Sequence, residues 1–407
     1  EFPDGRIVQD STEIMEVVDR LFPEAPALPA VDSRPRQCLA CHIVELLADE
    51  WLLVPAFHWR WAYSGDGSPG QRMPTPVRAG PTPNHREWNE LQWGSFLRPD
   101  GSEAAKRRTA RWLFDNMFFK EAGIKGAMVC LGVTRSTVAA WEASCKNILG
   151  ILEGHLAVHD FVLGSRPSTA DFALLGPLYA HLYRDPVPHA MMCKDFPRVA
   201  AWCERCHDRG CAAAELDSRS APKVGDWLPN DEVPETVMPL LQVFLDEMWP
   251  VLKSTCEVLK SYLNCGGYSG GPLPGKSFSP TSMDQQGSGP LVHDFSLPFD
   301  ADGKRGGSSS GRRMVIPYQV WMLQRLEPAL RADVRSLLEQ LGPRGGELLG
   351  LPALLEGCRV RKAGGLIHPQ ASAARPPRRW RRWALALLLL WMGGLIARRR
   401  RHGALAA

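Results

Sequence analysis

The sequence predicts a mainly α-helical protein that opens with a short α/β segment and closes with a mixed extension. Three observations carry this reading. Between residues 30 and 212, apolar residues recur at helical spacing through several long stretches. Residues 1–29 hold one turn signal, one short β-branched run and one helical pattern. From Asn264 to Arg312 the chain is rich in Gly, Ser and Pro, with strand-like runs on either side of its glycines.

Phe2-Pro3-Asp4-Gly5 is a turn signal and Arg6-Ile7-Val8 a short strand, together read as a hairpin. Asp10 or Ser11 then caps a helix with Ile14, Val17, Val18 and Leu21 on one face. Phe22-Pro23 and Pro26 end it. One hairpin and one helix cannot bury a core, so partner strands are expected ahead of Glu1. Cys38 to Leu53 reads as an amphipathic helix, with Leu39, Ile43, Leu46 and Leu47 aligned. A Gly/Pro-rich loop covers 64–84, and further helices fit 103–121, 134–158, 168–183 and 196–209. Gly132 to Thr134 and Gly164 to Ser168 are the breaks. Pro222 to Pro234 is a linker, and Val237 to Leu263 one long helix. His293–Phe299 is expected to pair with Arg313–Ile316 across a Gly303–Gly311 loop. Pro317 opens a helix through Trp321, Leu323, Leu326 and Leu330. The chain thus divides at 1–29, 30–212, 213–370 and 371–407.

With 407 residues, 44% hydrophobic and 23% charged, the chain is neither disordered nor a multi-span membrane protein. The net charge of +4 conceals an asymmetry: all 44 acids precede Arg359, whereas 12 of the 48 bases follow Glu356. An acidic body argues against a nucleic-acid partner. Eleven cysteines, an odd number in a chain too large to need disulfide staples, read as reduced thiols in a cytoplasmic setting. Glu1 is not preceded by a signal peptide, so a start inside a longer product, or processing, is expected. Trp383 to Ala397 is uncharged, with arginines on both sides. Fifteen residues cover about 22 Å, against about 30 Å of hydrocarbon, a gap that snorkelling arginines can close. This segment is a candidate membrane helix; the alternative is a functionless Arg/Ala/Leu/Gly-rich tail.

Two stretches match C-x-x-C-H: Cys38 to His42 and Cys203 to His207. They allow a dihaem reading, with His42 and His207 as axial ligands, or a zinc reading. The competing reading is half-buried thiols on helix faces, and no metal is assigned. Trp59 and Trp61, with Phe57 and His58, form an aromatic cluster that suits either core packing or a flat apolar ligand. His155, His159, His181 and His189 have no metal spacing.

Three features resemble the glutathione S-transferase family. Gly5-Arg6-Ile7-Val8-Gln9-Asp10-Ser11-Thr12-Glu13-Ile14 looks like the end of that family's thioredoxin-like domain, where an acidic residue and Ser open a helix that holds the γ-glutamyl group of glutathione. Phe161 to Phe172 contains Gly164-Ser165-Arg166-Pro167-Ser168-Thr169-Ala170-Asp171, similar to the signature of the helical C-terminal domain. Ser168 and Asp171 have the spacing of a capping box, a folding motif rather than a chemical one. Ala201-Trp202 and Arg205 resemble the end of that domain's last helix. The order of remnant, Pro-containing linker and helical domain is also the family's. The resemblance covers about residues 1–210, and Pro317 to Trp321 looks like part of an extension found in larger members.

The resemblance implies a remnant of a thioredoxin-like domain at 1–29, a glutathione S-transferase C-terminal-like domain at 30–212 and an extension at 213–370. It implies glutathione as a substrate, held by Asp10 and Ser11 with Gln9 nearby, and a small hydrophobic electrophile near Trp59 and Trp61. The reaction would be attack of the glutathione thiolate on an electrophile or a disulfide. The family's thiol-activating Ser, Cys or Tyr would lie ahead of Glu1, so no catalytic residue is identifiable. Family members are commonly dimers. The alternative is a non-catalytic, membrane-tethered interaction module of the same fold.

Overall fold

The first helix, α1 (Ser11–Leu21), begins where the capping signal places it: the Asp10 carboxylate accepts the Thr12 N–H at 3.1 Å. In this computed structural model the described residues are 5, 7–62, 90–91, 94–95, 98, 100–116, 127–207, 225–264, 268, 270–273 and 291–370. Residues 1–369 group as one compact unit and 370–407 as a second. The Gly/Pro-rich loop at 64–84 and the candidate membrane segment 383–397 lie outside the described residues. Among the described residues no helix is long and apolar enough to cross a membrane.

Two expectations for the first segment are corrected. Ile7 to Gln9 belong to no strand, because no described neighbour offers them a ladder. The face of α1 carrying Ile14, Val18 and Leu21 is not core but 45–56% exposed. The helix docks instead through its polar edge. Thr12 is buried, its hydroxyl donating to Glu45 Oε1 at 2.8 Å, and Glu16 pairs with Arg325. Asp19 then receives the N–H groups of Ala27 and Leu28, each at 2.9 Å, and folds the linker back.

Helix α2 (Pro35–Leu47) runs through a π-helical turn at Ala48–Leu52 into α3 (Leu53–Ala62), well beyond the expected helix. It is buried nearly all round rather than on one face: Leu39, Ile43, Leu46 and Leu47 are inside, and so are Cys38 and Cys41. There follow α4 (Glu103–Asn116), α5 (Ala127–Cys130), α6 (Val138–His155) and α7 (Thr169–Leu175), the last packed against α2 and continued by a π-helical segment at Gly176–Tyr183. Next come α8 (Pro186–Asp195) and α9 (Pro197–His207). Helix α8 escapes the sequence reading because its prolines look like breaks, yet Pro186 occupies the first turn, where its missing N–H costs nothing.

The extension is built onto this helical body. Trp227 bridges to Gly164, and the Leu228 N–H donates to the Leu163 carbonyl at 2.9 Å. The Trp227 ring lies under Arg166, 4.7 Å from its centroid, and under Arg34 at 5.7 Å. The expected long helix is continuous: α10 (Met238–Val243), a π-helical turn at Phe244–Met248 and α11 (Trp249–Asn264). Strands β1 (Val292–Phe299) and β2 (Arg305–Met314) form a two-stranded antiparallel hairpin, with His293 opposite Arg313 and Phe295 opposite Gly311. The expected Gly303–Gly311 loop is therefore much shorter; Asp300 closes the turn by accepting the N–H groups of Asp302 and Lys304, and Gly306 to Gly311 are strand. Beyond it lie α12 (Tyr318–Leu323), α13 (Glu327–Leu330), α14 (Arg335–Gln340), α15 (Gly342–Glu347) and α16 (Leu351–Leu355). A second hairpin, β3 (Val360–Ala363) and β4 (Leu366–Pro369), follows.

One polar knot lies at the centre. Glu247, buried on the π-helical turn of the long helix, accepts the Trp51 indole N–H at 3.0 Å and the Ser144 hydroxyl at 2.5 Å. Burial pushes its carboxyl up from 4.5 to about 7. The neutral form is thus favoured in the fold. Its stabilisation is fully present below pH 4.5 and is lost as pH rises through 7. We expect Glu247→Gln to match the wild type near pH 5 and to exceed it by roughly 3 kcal/mol near pH 8, as measured by urea unfolding at both values.

Candidate functional site at the start of the first helix

Asp10 is held at φ 99°, in the left-handed half of backbone space, at the N-terminus of α1. Both of its carboxylate oxygens are engaged. Oδ1 takes the Thr12 N–H; Oδ2 takes the Tyr318 hydroxyl at 2.8 Å and lies 3.0 Å from Lys362 Nζ. The ammonium of Lys362, on β3, reaches three oxygens: Asp10 Oδ2, Glu13 Oε2 at 3.1 Å and the Gln9 carbonyl at 3.0 Å. Three acceptors satisfy its three N–H donors. The Trp321 ring lies 5.1 Å beneath it, and the lysine side chain is only 4% exposed. Ser11 and Gln9, by contrast, are exposed.

A second acidic group stands behind this cluster. Asp49 and Glu50 sit on the π-helical turn after α2, a distortion that often marks working positions. Burial, together with Glu45, Glu50 and Asp10, holds the Asp49 carboxyl well above its usual range. Burial, Asp10 and Glu50 likewise push up the Tyr318 hydroxyl, which stays a hydrogen-bond donor. The arrangement combines a crowded negative field, which suits an ammonium group, with a helix N-terminus and the exposed Ser11 hydroxyl, which suit a carboxylate.

The other residues singled out by sequence fall elsewhere. Trp59 is buried in the core, with Lys146 Nζ 5.6 Å from its ring centroid; the side chain of Trp61 lies outside the described residues. Ser168 and Asp171 form the capping box. Asp171 also accepts the Val162 N–H at 2.9 Å, and burial raises its carboxyl to about 6. Of the cysteines in the two C-x-x-C-H stretches, Cys38, Cys41 and Cys203 are packed inside helices at 0–3% exposure, and Cys206 is half-buried. Burial pushes the Cys38 thiol up to about 12. His42 turns its Nδ1 to Glu45 at 3.3 Å, and the His207 ring stacks on Tyr179 at 3.9 Å. Among the described residues no three His, Cys, Asp or Glu side chains come together as a metal site.

Residues 135–205 match the family model of the glutathione S-transferase C-terminal domain. The matched segment runs from the approach to α6 to the last turn of α9 and includes the Ser168–Asp171 box. The described structure is mainly helical, with small antiparallel hairpins toward its end. No curated protein and no solved structure matches it. Asp10 and Ser11 lie outside the matched segment, as do Tyr318 and Lys362. The last two were not legible as site residues, since they come from the extension and meet Asp10 only in three dimensions.

The cluster carries unequal weights. Tyr318→Phe leaves Asp10 with Lys362 and the helix N–H, so we expect a loss of about 1 kcal/mol in urea unfolding. Lys362→Met leaves Asp10 and Glu13 without their cation, and we expect about 3 kcal/mol. Equal losses in the two variants would contradict the geometry.

Proposed function

We propose that the chain is a glutathione-dependent transferase in which α1 holds the γ-glutamyl end of glutathione. The observation that supports this most is the pairing, at one helix N-terminus, of the Asp10 carboxylate with the exposed Ser11 hydroxyl, on a chain whose residues 135–205 match the family's helical domain. On this reading Asp10 and Glu13 attract the α-ammonium, while Ser11 and the first-turn N–H groups receive the α-carboxylate. Gln9 flanks the peptide. The thiolate would attack a small hydrophobic electrophile or a disulfide, and the residue that lowers the thiol pKa would belong to the family's thioredoxin-like domain. Lys362 enters this reading as the ammonium that glutathione must displace or share oxygens with.

A specific observation favours a second reading, a non-catalytic module of the same fold. Asp10 is already satisfied within the chain, by Tyr318 and Lys362, so it needs no ligand. Calorimetry with glutathione separates the two. The transferase reading expects sub-millimolar binding by the wild type, at least tenfold weaker in Ser11→Ala and tighter in Lys362→Met. No binding by either the folded wild type or Lys362→Met would leave the non-catalytic reading.

A further inference from the structure

Of the cysteines among the described residues Cys193 alone is exposed, and its thiol has a base beside it. It lies on α8 one turn after His189, and the i, i+4 spacing puts the two side chains on one face. Cys193 Sγ is 3.4 Å from His189 Nε2. The other ring nitrogen, Nδ1, lies 2.8 Å from the Tyr183 carbonyl oxygen. A carbonyl only accepts, so Nδ1 carries the hydrogen and the neutral ring turns its Nε2 lone pair toward the sulfur. The Cys193 S–H thus donates to a base that a third group orients, the arrangement of an activated nucleophile.

The fold holds that base from two sides. Tyr183 ends the π-helical segment Gly176–Tyr183, and the carbonyls of a helix's last turn have no partner within it; His189 supplies one. The Tyr183 ring meets the imidazole edge-on, with centroids 4.6 Å apart, and its hydroxyl donates to Glu204 on α9. Helix α8 itself is pinned to the body. Met192 is fully buried, and Asp185, at the start of the helix, pairs with Arg60 at 2.8 Å.

We propose that Cys193 is a nucleophilic thiol that exchanges with small disulfides, with His189 as its base and the Tyr183 carbonyl orienting that base. The thiol proton passes to His189 Nε2, and the sulfur attacks one atom of the incoming S–S bond. A mixed disulfide forms at Cys193 as the incoming S–S bond breaks. The departing thiolate takes the proton from Nε2 and leaves as a thiol. Cys193 is oxidised and the departing half of the disulfide is reduced, so the exchange needs no other redox partner. The thiol is exposed, so a small disulfide reaches it without any opening of the fold. The site does not rest on the glutathione reading, because it uses none of the residues at Asp10.

The test uses 2-hydroxyethyl disulfide as the probe, which carries no γ-glutamyl group, in excess over the intact protein. Peptide mass spectrometry follows mixed-disulfide formation at each cysteine, with N-acetylcysteine under the same conditions as the unassisted thiol. We expect Cys193 to react before every other cysteine, at least about tenfold faster than N-acetylcysteine. His189→Phe keeps a ring against Tyr183 and removes the base. It should lower the Cys193 rate at least about tenfold, with the melting temperature of the wild type. His189→Gln decides the matter if His189→Phe does not fold. A Cys193 rate equal to that of N-acetylcysteine would make it an ordinary exposed thiol. A fast rate that survives in a folded His189 variant would remove His189 as the base. A first reaction at another cysteine would place the reactive thiol elsewhere. Each of these three results overturns the proposal.

Discussion

The contact between Asp10 and Lys362 ties the beginning of the described chain to its end. An ammonium only 4% exposed needs every donor occupied. Asp10, Glu13 and the Gln9 carbonyl meet that need, and in doing so they fix where β3 and β4 lie. Tyr318 adds the hydroxyl that places α12 beside them. The first helix has little else to hold it. Its apolar face is exposed, and its other contacts, to Glu45 and Arg325, are polar as well. The region that resembles a glutathione site is therefore held by a small number of charged and hydrogen-bonded groups, on a helical body held by burial.

That body follows a different logic. Trp51, Trp141 and Trp249 are fully buried, and each places its indole N–H on an acceptor. Glu247 meets the need of Trp51, and Glu347 that of Trp249 at 3.0 Å. Both acids come from the extension, as does Trp227, whose ring is clasped by Arg34 and Arg166 from the helical domain. The extension thus completes the interior of the helical domain as well as covering it. The π-helical turns at Ala48–Leu52 and Phe244–Met248 carry the two partners of the first of these bonds, Trp51 and Glu247.

What could be read from sequence follows from the range of the interaction. The Asp10 cap and the Ser168–Asp171 box are local, three residues or fewer across, and both form as their spacing implies. The helices at 138–155 and 197–207 have clear periodicity and appear where expected. Helix α1 misled because periodicity reports which face is apolar, and not whether a partner covers it. The second hairpin carried a signal that went unused: Gly364-Gly365, both at positive φ, is a two-residue turn between β-prone runs. Gly306 to Gly311 read as loop because small residues weaken a strand, yet pairing with the inward-facing His293, Phe295 and Leu297 overrides that preference. Tyr318 and Lys362 carry no local signal, because their role exists only through contacts across the whole chain.

The central claim is that Asp10 binds an ammonium group, either the one supplied by Lys362 or one brought by a ligand. Lysine-selective NMR, following the Lys362 side chain while glutathione is added to the intact protein, tests this most directly. The account predicts that the Lys362 signal moves with the binding curve as its ammonium yields Asp10 Oδ2 to the ligand. A Lys362 signal that stays fixed while glutathione saturates elsewhere, or a protein that takes up no glutathione at all, would contradict it.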